Sequence, residues 1–489
     1  MELALSLPEI RECICRFLSH RDRKSCALVS RAWSETMTPW IWLSAKLGQR
    51  VPPRVLAVTR KYGAIVRTLH LVEHKYPLDI NEWFKNLQAL HSMCGIYQAN
   101  VIECIADLIH RNQSSLLRIH ADYLDDENSL VFMATLNCPS LRHLQCTHVT
   151  IQERAVMESF VKTCTRLTTL KLDRVRFLEE THLMFQGQTF PSLEQIHLEN
   201  INDPYLHFLG ECPNLKALTI FQFEYISAKD FLEEVITHCR KLCVLDVGGY
   251  GFYRPDEFEE LALALPPMKY LQGVVGSWSQ AIANSITSRH FGSLQAIEII
   301  YGQENSSKFI QSILSSCPNL RFLIGVTINA EDAASGSPWV CYRLEYLQVQ
   351  FVLPYTEHNL HTAICDRIST LKELRFLNLY SDSFFGQFQA FPLRLGEGLE
   401  RLASLKKLEH FGVGLLQEEW ETEEIEWMDQ AWPNLESIRA RYHEQDEIYT
   451  RMGSGVGSLG RSLMPRISKQ GYLRRTYSKF SETIPVLNM

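Results

Sequence analysis

Apolar positions along most of this chain recur in one phrase, Leu-x-x-Leu-x-Leu, often introduced by Cys-Pro. Its first leucine, or a substitute, stands at Leu116, Leu141, Leu167, Leu193, Leu215, Leu242, Met268, Leu294, Leu320, Leu344, Leu374, Leu408 and Leu435, at intervals that cluster at 26 residues and range from 22 to 34. Such a period predicts a solenoid, in which each unit buries its apolar face only against its neighbours. Three positions before the anchors stand Cys138, Cys164, Phe190, Cys212, Cys239, Leu265, Phe291, Cys317, Cys341, Leu371, Leu405 and Trp432, an apolar slot kept in register. The Leu-x-Leu pair, as in Leu170-Lys171-Leu172 and Leu377-Asn378-Leu379, alternates inside and outside as a short parallel strand requires. Between strands, Phe231, Leu232, Val235 and Ile236, and again Phe309, Ile310, Ile313 and Leu314, share one helix face by spacings of three and four.

This phrase resembles the leucine-rich repeat, in particular its cysteine-containing subtype. The resemblance implies an α/β horseshoe solenoid with parallel strands on its concave face, and it covers roughly residues 62–445, most strongly from 138 onward. Val66-x-x-Leu69-x-Leu71 and Leu87-x-x-Leu90 read as degenerate first repeats, and residues 380–404 contain an insertion. One departure stands eight places after the anchor. The family has Asn or Cys there, whereas this chain has Val149, Val175, Ile201, Phe223 and Val352, which cannot bond the turn's backbone groups.

A different pattern occupies the N-terminus. Ile10, Ile14, Phe17 and Leu18 form the apolar stripe of a first helix; Asp22 is placed to cap a second that carries Cys26, Leu28 and Val29; Trp33 lies on a third. A body of about 40 residues is too small to bury its own apolar surface, so a partner is expected to cover it. With Leu7-Pro8-Glu9-Ile10, Ser30-Arg31 and Pro39-Trp40-Ile41-Trp42, the segment resembles the F-box. That resemblance implies docking on a Skp-family adaptor, and through it on a cullin, with Leu7, Pro8, Ile10, Leu28, Val29 and Trp33 as the adaptor contacts. The family's Asp-Leu pair reads Asp22-Arg23 here, which replaces an apolar contact with a charge. The predicted division is an F-box over 1–45, a linker over 46–61, the solenoid over 62–445 and a flexible basic tail over 446–489.

Composition narrows the partners. A net charge of -7 argues against a sequence-wide attraction to nucleic acid. There is no signal-like N-terminus and no apolar run of about 18 residues, so cytosol or nucleus is expected and no membrane span. Six of the fourteen cysteines fill the repeat slot, which favours reduced buried thiols over disulfides.

Residues two, four and six places after each anchor should line the open face of the strands. In the first of these columns the early repeats place His143, Thr169 and Gln195, and the later ones Tyr270, Phe322, Tyr346 and Phe376, with Tyr380 nearby. Aromatic side chains in register are candidate anchors for a protein target, or else pack on one another or under the insertion. Residues 418–429 carry seven acids and no base, a pattern of a solvated helix face that would also attract a basic partner. Catalytic look-alikes carry little. His20-Arg21-Asp22 lacks the asparagine of a kinase loop, Gly455-x-Gly457-x-x-Gly460 follows no strand, and Cys13-x-Cys15 lacks a second pair at zinc-site spacing. No cofactor, metal or enzymatic activity is expected. The sequence thus points to a substrate receptor of a ubiquitin ligase, the alternative being a non-catalytic leucine-rich-repeat interaction scaffold outside ubiquitination.

Overall fold

Wherever the structure describes it, the leucine phrase forms a parallel strand. The computed structural model describes residues 7–48, 51–72, 80–93, 99–121, 129–151, 153–177, 185, 187–199, 206–221, 238–247, 270–273, 288–299, 307–353, 360–379, 393–416 and 420–442. These belong to two compact units, Met1–Asn305 and Ser306–Met489. In the first, β1 (Ser44–Leu47), β2 (Thr68–Val72), β3 (Ala89–Met93), β4 (Arg118–Ala121) and β5 (His143–Thr147) lie side by side in chain order. The short β6 (Thr150–Ile151) and β8 (Arg176–Phe177) pair with each other, while β7 (Thr169–Asp173) continues the main sheet. Beyond it follow β9 (Gln195–Glu199), β10 (Ala217–Phe221), β11 (Val244–Val247), β12 (Tyr270–Gly273) and β13 (Ala296–Ile299). The second unit repeats the arrangement with β14 (Phe322–Asn329), β15 (Tyr346–Val352), β16 (Phe376–Leu379), β17 (His410–Leu416) and β18 (Ser437–Tyr442). Each unit is a leucine-rich-repeat solenoid.

One stitch recurs at the start of these strands. The carbonyl just after an anchor accepts two successive amides of the next repeat: Arg142 from Thr168 (2.8 Å) and Thr169 (3.1 Å), and Glu345 from Arg375 (2.9 Å) and Phe376 (3.0 Å). Because the side-chain period is two, this fixes which residues enter the core. Leu144, Cys146, Leu170, Leu172, Leu347 and Leu377 are buried, and their neighbours face the open side. Helices cover the inner side. Phe309, Ile310, Ile313 and Leu314 are buried on Ser307–Ser316, as their spacing predicts. The counterpart at 231–236 lies outside the described residues.

The core also settles polar groups that the repeat leaves open. Asn112 is buried; its Oδ1 accepts from the Leu87 amide at 2.9 Å, and its Nδ2 donates to the Phe84 and Leu108 carbonyls. Arg166 donates to the Leu136 and Cys138 carbonyls of the preceding repeat, and Arg367 does the same for Ser337, Ala334 and Gly336. The Asn112 bonds satisfy buried groups that would each cost about 1–3 kcal/mol if left unpaired.

Several expectations are corrected. Within the stretch read as a linker, 46–61, the described residues carry regular structure: β1 pairs with β2 from Ser44↔Thr68 to Leu47↔Leu71, and a helix, Pro53–Tyr62, follows. The first repeat is disguised because Trp42 and Ala45 stand where leucines are expected. Gly63 then admits the next turn, since a Cβ there would lie 2.3 Å from the Trp83 carbonyl oxygen. At 288–294 the slot slips by one residue. The Leu294 amide bonds to the His290 carbonyl, so His290 is buried and Phe291, expected in the slot, is 50% exposed.

The missing turn asparagine has a backbone substitute. Val149 and Val175 are buried at that position, and the residues before them, His148 and Arg174, have positive φ of 55° and 51°. This conformation aims the His148 amide at the Asp173 carbonyl (2.9 Å) and the Arg174 amide at the Glu199 carbonyl (2.8 Å), so neighbouring repeats satisfy the turn directly. The β6–β8 pair follows at once. Within the insertion, residues 393–404 are described and end in a 3-10 helix, Leu399–Ser404. The rest of it, and the tail 446–489, lie outside the described residues.

Candidate interaction surfaces

Three short helices open the first unit: α1 (Pro8–Phe17), α2 (His20–Ala27) and α3 (Arg31–Ile41). Pro8 takes the first helical position of α1, where its missing amide costs nothing. The cap of α2 is Ser19 rather than Asp22. The Ser19 hydroxyl oxygen accepts the Asp22 amide at 3.2 Å and donates to the Asp22 carboxylate at 2.6 Å. Asp22 sits in the first turn, favourable for a negative charge.

Cys15 and Met37 are the side chains these helices bury, with the thiol donating to the thioether at 3.0 Å. Outside remain Leu7 (50% exposed), Ile10 (40%), Phe17 (85%), Leu28 (88%) and Val29 (71%), half of the exposed large apolar side chains among the described residues. Ile14, Leu18 and Trp33 are half-buried, so the stripe expected on α1 divides, with Ile10 and Phe17 turned to solvent. Arg23, at the departure from the F-box pattern, turns inward. Its Nε donates to the Cys15 carbonyl at 2.9 Å and its guanidinium lies 5.6 Å from the Trp40 ring centre. That charge is used inside the helical body.

In the second unit the aromatic column is built largely as internal packing. Strand register places Phe322, Tyr346, Phe376, His410 and Ser437 side by side. Tyr346 and Phe376 stack at 4.0 Å with planes 9° apart, and Phe376 meets His410 at 5.7 Å. Phe322, expected as an exposed anchor, is only 9% exposed, with the Arg321 guanidinium 5.4 Å from its ring centre. Tyr346 and Phe376 keep partial exposure. Tyr270 lies on β12 in the corresponding column, and Tyr380 lies outside the described residues. Of the acidic run, Glu424 is buried and pairs with Arg394 at 2.6 Å, while Glu421, Glu423 and Glu426 face solvent.

A second column was passed over in the sequence. Four places after Val66, Leu87 and Leu116 stand His70, His91 and His120, a constant offset visible in the residues themselves. The strands bring Lys46, His70, His91, His120, Gln145, Lys171 and His197 into one line across β1 to β9. His70 and His91 stack at 4.4 Å and 12°, and His91 meets His120 edge-on at 5.8 Å. The neighbouring column holds Arg118 and His143, the latter 3.1 Å from the Thr169 hydroxyl. Partial burial, with Lys46 and His120 close by, holds His70 below the usual imidazole range; burial, Arg118 and Lys171 do the same for His143.

The slot cysteines offer no nucleophile. Burial pushes the Cys138, Cys317 and Cys341 thiols up to about 12, and Cys164 and Cys212 rise as well, so they remain protonated. Among the described residues, no group of three or more His, Cys, Asp or Glu is placed to hold a metal ion, and no helix is long and apolar enough to cross a membrane.

No protein-family model matches the sequence, and no curated protein matches it. Solved structures similar to the chain include the TLR13–ssRNA13 complex, with a TM-score of 0.41, 15% identity, and coverage of 79% of this chain and 51% of that one. The plant peptide hormone receptor RGFR1 in complex with RGF2 gives a TM-score of 0.31 and 16% identity, covering 82% and 69%. The yeast Rad7–Elc1 complex gives 0.36 and 11%, covering 71% and 90%. The chain spans about half the length of the TLR13 chain. The repeats described above, rather than these likenesses, establish the fold.

Proposed function

We propose that this chain is the substrate-recognition subunit of a Skp-cullin-F-box ubiquitin ligase, with residues 7–42 docking on a Skp-family adaptor and the repeats holding a target protein. The observation that carries this reading is the apolar surface left open around Leu7, Ile10, Phe17, Leu28 and Val29 on a body that buries only two side chains of its three helices. Large apolar side chains left exposed in this number on so small a body are the expected mark of a protein contact. Its residue pattern is the one that resembles the F-box.

Catalysis of ubiquitin transfer needs no residue of this chain. Holding a target near a charged conjugating enzyme turns a bimolecular encounter into an effectively intramolecular one. The test is co-purification of the full chain with a Skp-family adaptor. We expect the adaptor to be retained by the intact chain and lost with Leu7→Ala plus Pro8→Ala. Failure of the intact chain to retain it would leave the repeats as an interaction scaffold outside ubiquitination, and retention by the double variant would move the adaptor contact away from Leu7 and Pro8.

A further inference from the structure

We propose that the open strand face of the first unit, from Lys46 to Lys171, is a docking strip for an acidic segment of a protein partner, and that its grip tightens as the solution is acidified. As the target-binding surface of a ligase receptor the strip rests on the function proposed above; its binding of acidic peptide does not.

Charge carries the argument. The chain as a whole is negative, at -7, yet β1 to β5 contain no aspartate or glutamate. Their open side presents Lys46, His70, His91 and His120 in one line and Arg118 and His143 in the next, and Lys171 on β7 extends the first line. Arg67 and Arg142 stand just before β2 and β5. Among the described residues of β1 to β9, carboxylates stand on the open side only at Asp173 and Glu199, and the same line continues beyond them to Asp246 on β11 and Glu298 on β13, which bounds the basic strip at its far end. A local basic surface on an acidic protein attracts a complementary segment and repels the rest of its own kind.

The strands also set the geometry. Neighbouring strands lie about 4.8 Å apart, so an extended peptide crossing them meets a cationic or imidazole group at nearly every strand. The stacked faces of His70 and His91 hold the imidazoles in fixed positions. Nucleic acid is less favoured, because dense phosphate neutralisation requires permanent Lys and Arg charges, and most of this strip is imidazole.

The pH sign follows from linkage. His70 and His143 are held low by burial and by nearby cations, and so are neutral in the free protein at neutral pH. A carboxylate placed against an imidazole raises its pKa, so binding takes up protons. The gain is full below the free-state pKa and is lost as pH rises through the bound-state pKa.

Fluorescence anisotropy of the full chain with a labelled twelve-residue Glu/Gly peptide tests this, with a Lys/Gly peptide and a twelve-nucleotide single-stranded DNA as competitors. We expect the Glu/Gly peptide to bind about tenfold more tightly near pH 6 than near pH 7.5. His70→Gln plus His143→Gln should reduce that rise to about twofold or less, while Lys46→Gln plus Arg118→Gln weakens binding at both pH values. An unchanged circular dichroism melting curve shows that each variant is folded; a variant that melts early is replaced by the single His143→Gln, expected to remove part of the rise. Absent binding, a pH rise untouched by the histidine variants, or tighter binding of the oligonucleotide would overturn the proposal. Adaptor retention by the same samples separates the two readings, since losing one leaves the other standing.

Discussion

Trp432→Ala should lower the local opening free energy of the last described repeats by about 3–5 kcal/mol, the usual cost of emptying a buried tryptophan site. Trp432 is 1% exposed and occupies the slot that other repeats fill with cysteine or leucine. Its ring meets Phe411 at 4.9 Å and Trp427 at 5.5 Å, and its Nε1 donates to the Leu402 carbonyl at 3.0 Å. Truncation removes the filling and leaves that carbonyl without its donor. Trp420 stacks on Phe411 at 6.0 Å and bonds to Leu393 with its own Nε1, so these rings form a cluster over β17. Native-state hydrogen exchange in β16 to β18 should accelerate by roughly two to four orders of magnitude, since each 1.4 kcal/mol is about tenfold. Trp432→Phe, which keeps most of the volume, should lose far less. Equal effects of the two variants would mean that the slot is not packed as described.

Leu28→Asp plus Val29→Asp should abolish adaptor capture, with a loss of at least about a hundredfold, while leaving the melting temperature within a few degrees of the parent. Both side chains are at the C-terminal end of α2 and are 88% and 71% exposed, so the folded chain loses almost no packing. In a complex the same positions would be desolvated, and a carboxylate buried there without a partner is costly. Pull-down and thermal melting on the same preparation give both readings. Capture that survives both charges would move the contact away from this edge.

Much of the fold is legible in the residues because the repeat makes the same demand each time. The anchors, the cysteine slot and the alternating strands follow from Leu-x-x-Leu-x-Leu, and burial of Cys138, Cys164, Cys212, Cys239, Cys317 and Cys341 bears this out. What the phrase hides is substitution that keeps the shape. Trp42 and Ala45 serve the first repeat in place of leucines, so a strand and helix pass for linker. At Phe291 a one-residue lengthening of the turn puts His290 in the core, which side-chain type alone does not announce. Ser19 outcompetes Asp22 as cap because it stands at the residue before the first helical position. Among the candidate interaction surfaces, the exposure of the N-terminal apolar residues was legible from the small size of that body. The later aromatic column was legible in position only, since stacking of Tyr346 on Phe376 and burial of Phe322 depend on neighbouring strands. The histidine line needed a second offset to be read along the early repeats.

The central claim is that the first three helices exist to be covered by another protein. Hydrogen–deuterium exchange of the full chain with and without a Skp-family adaptor tests this most directly. The account expects slowed exchange across α1, α2 and the start of α3 in the complex, with β14 to β18 unchanged. Exchange at residues 7–33 that is indifferent to the adaptor, or protection confined to the repeats, would contradict it.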